Sequence, residues 1–252
     1  MKPLSYCAGF VRNSRGKQLF YSMLEATPAA QPDAWIVCSP LLEEGVAAHD
    51  TLRNFARALA RNSVRVYRFD YEGCGDSGGE ALQLGLHDWA ADIRDMIAFA
   101  RIEGAARIHL LGIRGGALTA AIAAALDSGV HHLWTLCPVT DGESHLQEFL
   151  RINLSTQLVA YNKVLHNRDQ LMAKVLDGGT VNLQGWEVGA AFVETLRRAN
   201  LETLVKGLSI PITNIAAPAP GSLFWLDPRT VDFDQKDLQA SLLSQAFNLS
   251  IA

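Results

Sequence analysis

Four short apolar runs, AWIVCSP, VRVYRFD, RIHLLGI and HLWTLCPV, recur between residues 34 and 139, and segments of helical spacing separate them. Parallel strands cannot be joined by tight turns; they need crossovers, usually helical. The β-α-β-α-β-α-β order therefore predicts a mostly parallel sheet with helices on both faces. Residues 50–61 carry Leu52, Phe55, Ala56, Leu59 and Ala60 on one helical face, with arginines between them. Trp89, Ile93, Met96, Ile97 and Ala100 mark a second helix, and residues 114–127 a third. Ahead of this core, residues 8–24 read as a hairpin turning at Ser14-Arg15-Gly16-Lys17, followed by the Pro-rich connection ATPAAQPD.

After residue 139 the alternation stops. Residues 141–200 read as polar helices, where an insertion would form a lid over a pocket. Strand-like PITNIAA (211–217) and SLFWL (222–226) follow, then a closing helix over 234–248 with Leu238, Leu242, Leu243 and Phe247 on one face. A chain of 252 residues with this pattern is expected to form one domain, the insertion included.

The apolar fraction is 49% and the charged fraction 19%, enough for a sizeable core. The net charge of −4, without a basic cluster, argues against a nucleic-acid partner. No secretory-type apolar stretch opens the chain and no run reaches membrane-spanning length, so no membrane span is expected. Cys7, Cys38, Cys74 and Cys137 lack the spacing of a disulfide framework or zinc site, which points to a reduced, cytoplasmic protein. No metal site and no cofactor is expected; His, Asp, Glu and Cys nowhere take ligand spacing.

Three motifs stand in order at the strand ends: SPLLEEG after the first core strand, FDYEGCGDSGG after the second and LLGIRGGAL after the third. Together they resemble the α/β-hydrolase superfamily. That resemblance implies an oxyanion loop at SPLLEEG, a glycine-rich turn, and a nucleophile elbow at Gly-x-Ser-x-Gly whose middle position here is Arg114. A narrower likeness rests on the Glu-Glu pair, GCGDSGG, the Gly-hydrophobic-Arg-x-Gly elbow, CPVTDGESHLQEFLR and GWEVGAAF. It is to the hydrolase-like proteins, type two, encoded with bacterial exosortase and exopolysaccharide systems. It implies a bacterial cytoplasmic protein, and it implies fold more than chemistry.

A serine hydrolase needs a nucleophile, a base and an orienting acid within hydrogen-bonding reach. Arg114 has no lone pair to attack with. The last histidine is His166, inside the insertion, and the PAPG loop after residue 217 offers no carboxylate. All three triad positions fail, so no catalytic residue is assigned. Cys38, Ser39, Cys74 and Ser77 lie near strand ends, the last two in the glycine-rich turn, which reads as structural; His49, just before the first helix, reads as a surface or capping histidine, with a base as the alternative. His87 reads as a capping residue, and His131-His132 as solvated at the far end of the sheet. GCGDSG also fits Gly-x-Gly-x-x-Gly, yet about ten residues precede the next helix, against a dinucleotide site.

What remains is an anion site. A helix starting near Arg114 offers N–H groups and a favourable dipole, and the guanidinium adds charge. Arg114, Gly115 and Gly116, with Leu42, Glu43 and Glu44 on the facing loop, are the candidate ligand-binding residues. Either glutamate could instead pair with Arg114 and fill the site. The expected partners are a small anionic ligand or a protein of an exopolysaccharide or sorting pathway, the latter through a stripe such as Phe149, Leu150, Leu154 and Leu158. The alternative is a genuine esterase, thioesterase or peptidase-like hydrolase with a nonstandard nucleophile.

Overall fold

The computed structural model describes residues 3–26, 33–215 and 243–246. Its centre is a seven-stranded sheet. The chain enters through a hairpin, β1 (Leu4–Arg12) and β2 (Gln18–Ala26), paired antiparallel from Leu4↔Ala26 to Arg12↔Gln18. The core strands are β3 (Asp33–Cys38), β4 (Arg65–Phe69), β5 (Arg107–Ile113) and β6 (Val130–Leu136). β7 (Val181–Leu183) and β8 (Trp186–Val188) form a separate two-stranded ribbon, and β9 (Ile212–Ile215) closes the main sheet. The order is β1-β2-β4-β3-β5-β6-β9. β2 runs antiparallel to β4, and every pairing from β4 to β9 is parallel.

β3 and the C-terminal halves of β5 and β6 read as apolar runs because they bury both faces, whereas β4 keeps Arg65 and Arg68 half-buried. Ile36 and Cys38 join one core cluster, with Trp89, Ile93 and Met96 of α3 (Leu86–Ile102). Trp35 and Val37 point the other way, against Leu52, Phe55 and Leu59 of α2 (His49–Ala60). A short α1 (Glu43–Ala47) precedes α2, and α4 (Gly116–Leu126) follows β5. α4 is made almost wholly of small residues and is buried from Gly116 to Ala124. Side-chain volume has been removed there for backbone approach: a Cβ on Gly112 would lie 2.5 Å from the Ala117 Cα.

The hairpin is tied to the sheet by a buried polar knot. Asn13 Nδ2 donates to Glu72 Oε2 (2.8 Å) and Asp92 Oδ1 (2.9 Å), and Arg15 Nε donates to Glu72 Oε2 (2.8 Å).

The insertion comprises α5 (Gly142–Tyr161), α6 (Arg168–Leu176), the β7–β8 ribbon and α7 (Ala190–Arg198), and α8 (Leu201–Lys206) follows its return. It leaves and returns through one neck. Gly142 N donates to Ala199 O and Leu201 N to Thr140 O, both at 2.9 Å, around an Asp141↔Asn200 bridge. Asp141 caps α5 by accepting from Ser144 N at 2.8 Å.

Several sequence expectations shift. The helix expected over 114–127 begins at Gly116, because Arg114 has φ +52° and cannot be helical. The strand expected over 132–139 spans Val130–Leu136 and ends where Cys137 turns to φ +46°. The all-helical insertion contains a ribbon whose three-residue strands are too short to show periodicity. His132 is only half exposed: its ring stacks on Trp134 with centroids 4.2 Å apart. SLFWL lies outside the described residues, as does the closing helix except for 243–246, which are helical. Among the described residues no helix is long and apolar enough to cross a membrane.

Candidate functional site

β3, β5 and β6 are neighbours, and their C-terminal ends each lead into a left-handed residue: Leu42 (φ +53°), Arg114 (φ +52°) and Cys137 (φ +46°). None is glycine, and each costs roughly 1–2 kcal/mol relative to an ordinary conformation. Such strain persists only where the surroundings enforce it, and it clusters at functional sites. Around Arg114 the enforcement is visible. Its N–H donates to Leu136 O, and its carbonyl accepts from Ala117 N and Val139 N, all at 3.1 Å. The next two residues must be glycine. A Cβ on Gly115 would lie 2.6 Å from Leu41 Cγ, and one on Gly116 would lie 2.3 Å from both Cys38 O and Ser39 O.

The Arg114 side chain turns to the facing loop. Its Nη2 lies 3.2 Å from Glu44 Oε1 and 4.0 Å from Glu148 Oε2. His145, one turn earlier on α5, places Nδ1 at 3.0 Å from Glu148 Oε2 and Nε2 at 3.9 Å from Glu44 Oε2. Glu44 and His145 are buried. Glu44 Oε2 and His145 Nε2 have no hydrogen-bond partner among the described residues. The hydrogen bond from His145 holds the Glu148 carboxyl below its usual range. The strand-end cluster is thus one guanidinium and one imidazole between two carboxylates.

Of the six candidate residues, Arg114, Gly115 and Gly116 form the turn, and Glu44 reaches Arg114. Leu42 is buried just before α1, whereas Glu43 is half exposed and makes no ion pair among the described residues. His145 and Glu148 were not singled out from the sequence. Their signal was an i, i+3 acid–imidazole pair in the first turns of a helix following a core strand.

The other nucleophile candidates are structurally committed or unactivated. Ser77 Oγ donates to Asp70 O and accepts from Phe20 N, which locks the glycine-rich turn. Burial pushes the Cys38 thiol far up, Cys74 up to about 12 and Cys137 up to about 11, the last despite the nearby Arg114. A reactive thiol needs the opposite shift. No helix opens on the glycines of GCGDSG; α3 begins only at Leu86. No group of His, Cys, Asp or Glu among the described residues could hold a metal ion.

Across the Leu41–Leu42 loop lies a cavity of about 550 Å³, lined by residues of the β1–β2 hairpin, α1, α2, β4 and the glycine-rich turn, with Trp186 from the insertion. Arg114 is not among its lining residues; Ser39, His49 and Cys74 are.

A family model described as "Hydrolase_4: Serine aminopeptidase, S33" matches residues 42–175, just over half of the chain. No curated protein matches the sequence. Est1E of Butyrivibrio proteoclasticus, in its ferulic-acid-bound form, is 16% identical with a TM-score of 0.60, covering 95% of this chain and 99% of that one. A hypothetical protein of Pseudomonas aeruginosa is 14% identical with a TM-score of 0.59, covering 93% of each chain. A Xanthomonas campestris serine hydrolase described as lacking a lid is 17% identical with a TM-score of 0.56, covering 99% and 98%. At these identities the likeness is one of fold: a mostly parallel central sheet flanked by helices, the α/β-hydrolase arrangement.

Proposed function

The chain belongs to the serine aminopeptidase S33 family of α/β hydrolases, and from that premise we propose that it is an unconventional member that binds an anionic ligand without serine acyl-transfer chemistry. The observation that carries the loss of serine chemistry is the 3.2 Å Arg114–Glu44 pair at the strained turn between β5 and α4. In our reading Arg114 holds the place where serine hydrolases of this fold keep their nucleophile. A guanidinium there cannot attack an acyl carbon, and its pairing with Glu44 gives it a structural task. No histidine follows His166 in the sequence, so the late base is missing too.

The likeness to exosortase- and exopolysaccharide-linked proteins suggests an anionic intermediate, or a protein of such a pathway, as the partner. We assign the insertion a covering role over the cavity, which Trp186 lines.

A second reading is favoured by one feature. His145 is buried between Glu44 and Glu148, and an imidazole oriented by carboxylates is the arrangement of a general base. Under that reading the chain hydrolyses an ester, thioester or amide through a nonstandard nucleophile. Fluorophosphonate and thiol-directed probes on the folded protein, read by intact mass and peptide mapping, separate the two. No labelling beside a reactive control is the expected result. Stoichiometric labelling of one residue would establish the hydrolase and overturn the first reading.

A further inference from the structure

α2 carries His49, Arg53 and Arg57 at intervals of four residues, so the three side chains form one stripe along the helix. That stripe lines the cavity beside the Leu41–Leu42 loop. Opposite it, β4 contributes Arg68, whose Nη2 lies 3.3 Å from His49 Nδ1. Three arginines and a histidine therefore line one space of about 550 Å³, together with two aspartates, Asp70 and Asp76. One of them is partly committed: Asp70 Oδ2 accepts from Asp76 N at 3.0 Å. Arg53 meets the exposed Asp50 at 3.0 Å, but among the described residues neither Arg57 nor Arg68 makes an ion pair.

Arg68 is the telling residue. Its Nε is buried and has no hydrogen-bond partner among the described residues. Burial lowers its pKa, and Asp70 only partly offsets that. A buried guanidinium N–H left without an acceptor is costly, and Arg68 as a whole is only half-buried and lines the cavity, where it can meet a ligand oxygen. Much of the remaining wall is apolar, including Phe20, Leu24, Leu52, Val66, Trp89 and Trp186, with Ser22 and Ser39 among them. Ligand sites of this size commonly combine apolar walls with a few convergent polar groups.

We propose that this cavity binds an amphipathic anion, its carboxylate or phosphate held by Arg68, Arg57 and His49 and its apolar body resting on the cavity's apolar lining. The assignment narrows the ligand-binding half of the function proposed above and moves the anion site from Arg114 to the α2–β4 cleft. It stands apart from the question of elbow chemistry.

The test is titration of the full-length chain with decanoate, decyl phosphate and decanol, read by tryptophan fluorescence and calorimetry. Decanol has nearly the same apolar body without the charge. At least one anion is expected to saturate, bind about ten-fold or more tighter than decanol, and weaken as salt rises. Whichever anion binds tighter identifies the headgroup chemistry. Arg68→Gln is expected to lose about ten-fold in affinity, and Arg57→Gln about three-fold. Arg57 is exposed, so its variant keeps the test open if Arg68→Gln fails to fold. Equal binding of anion and alcohol, no saturation by either anion, or wild-type affinity in a folded Arg57→Gln/Arg68→Gln protein would overturn the proposal. Probe labelling of a hidden nucleophile would overturn the loss of acyl-transfer chemistry and leave this site intact.

Discussion

Arg114 and Glu44 are each largely enclosed, so removing one takes a close opposite charge away from the other. Side-chain exposure is 17% for Arg114 and 7% for Glu44. Breaking an enclosed pair from one side typically costs about 3–5 kcal/mol, whereas replacing both partners is far milder. Arg114→Met is expected to lower urea-denaturation stability by about that amount, and Glu44→Gln/Arg114→Met to recover most of it. Additive losses would show that the pair does not couple. Arg114→Ser is a sharper test of chemistry. A serine in the turn still lacks a base after residue 217, so hydrolysis of p-nitrophenyl esters is expected to stay at the wild-type level. A clear gain would reveal His145 as a usable base. The sequence makes Arg114 and Glu44 legible because the motifs on either side number the turn and the loop. His145 and Glu148 were not legible, since the rotational phase of α5 relative to the sheet is set by packing at the neck rather than by local spacing.

At the scale of elements, the lower edge of the sheet holds a titratable stack. The His109 ring lies parallel to Trp35, with centroids 5.0 Å apart, and neither ring nitrogen has a hydrogen-bond partner among the described residues. Burial brings its pKa down to about 4, while Asp33 opposes the shift and His131, His132 and Arg107 reinforce it. The unfolded chain then binds a proton near pH 6.5 that the folded chain refuses until about 4. The stability contributed by neutral His109 is complete above pH 6.5 and is lost as pH falls toward 4, by about 3 kcal/mol. His109→Phe preserves the stack and removes the titration. Its stability is expected to decline less steeply than wild type across that window; parallel profiles would rule out His109 as the source. β3 and the ends of β5 and β6 were readable because burial on both faces writes an apolar run there. The β7–β8 ribbon was not, since three residues carry no period and Gln184-Gly185 sits in a stretch that otherwise reads as helix.

For the whole molecule the question is whether the insertion is a detachable cover or part of the core. Sequence pattern alone suggested a cover, because polar helices interrupt the β/α alternation. The packing adds something the pattern could not hold: Leu146, Phe149 and Leu150 of α5 and Phe192 and Leu196 of α7 are at most 1% exposed, and they share one cluster with Ile36, Trp89 and Leu118. The neck enforces this contact. A Cβ on Gly142 would lie 1.9 Å from Leu196 O, so α5 and α7 approach as closely as backbone allows. Trp89 meets Phe192 edge-on with centroids 5.7 Å apart, a direct packing contact between α3 and the insertion. Elements that share a core unfold together. Phe192→Ala, although it lies inside the insertion, is therefore expected to cost about 3–5 kcal/mol. It should shift the far-UV and tryptophan-fluorescence midpoints in urea by the same amount. If the variant unfolds in two separated transitions, with the insertion melting first, the insertion is an independent cover and the shared cluster contributes little to cooperativity.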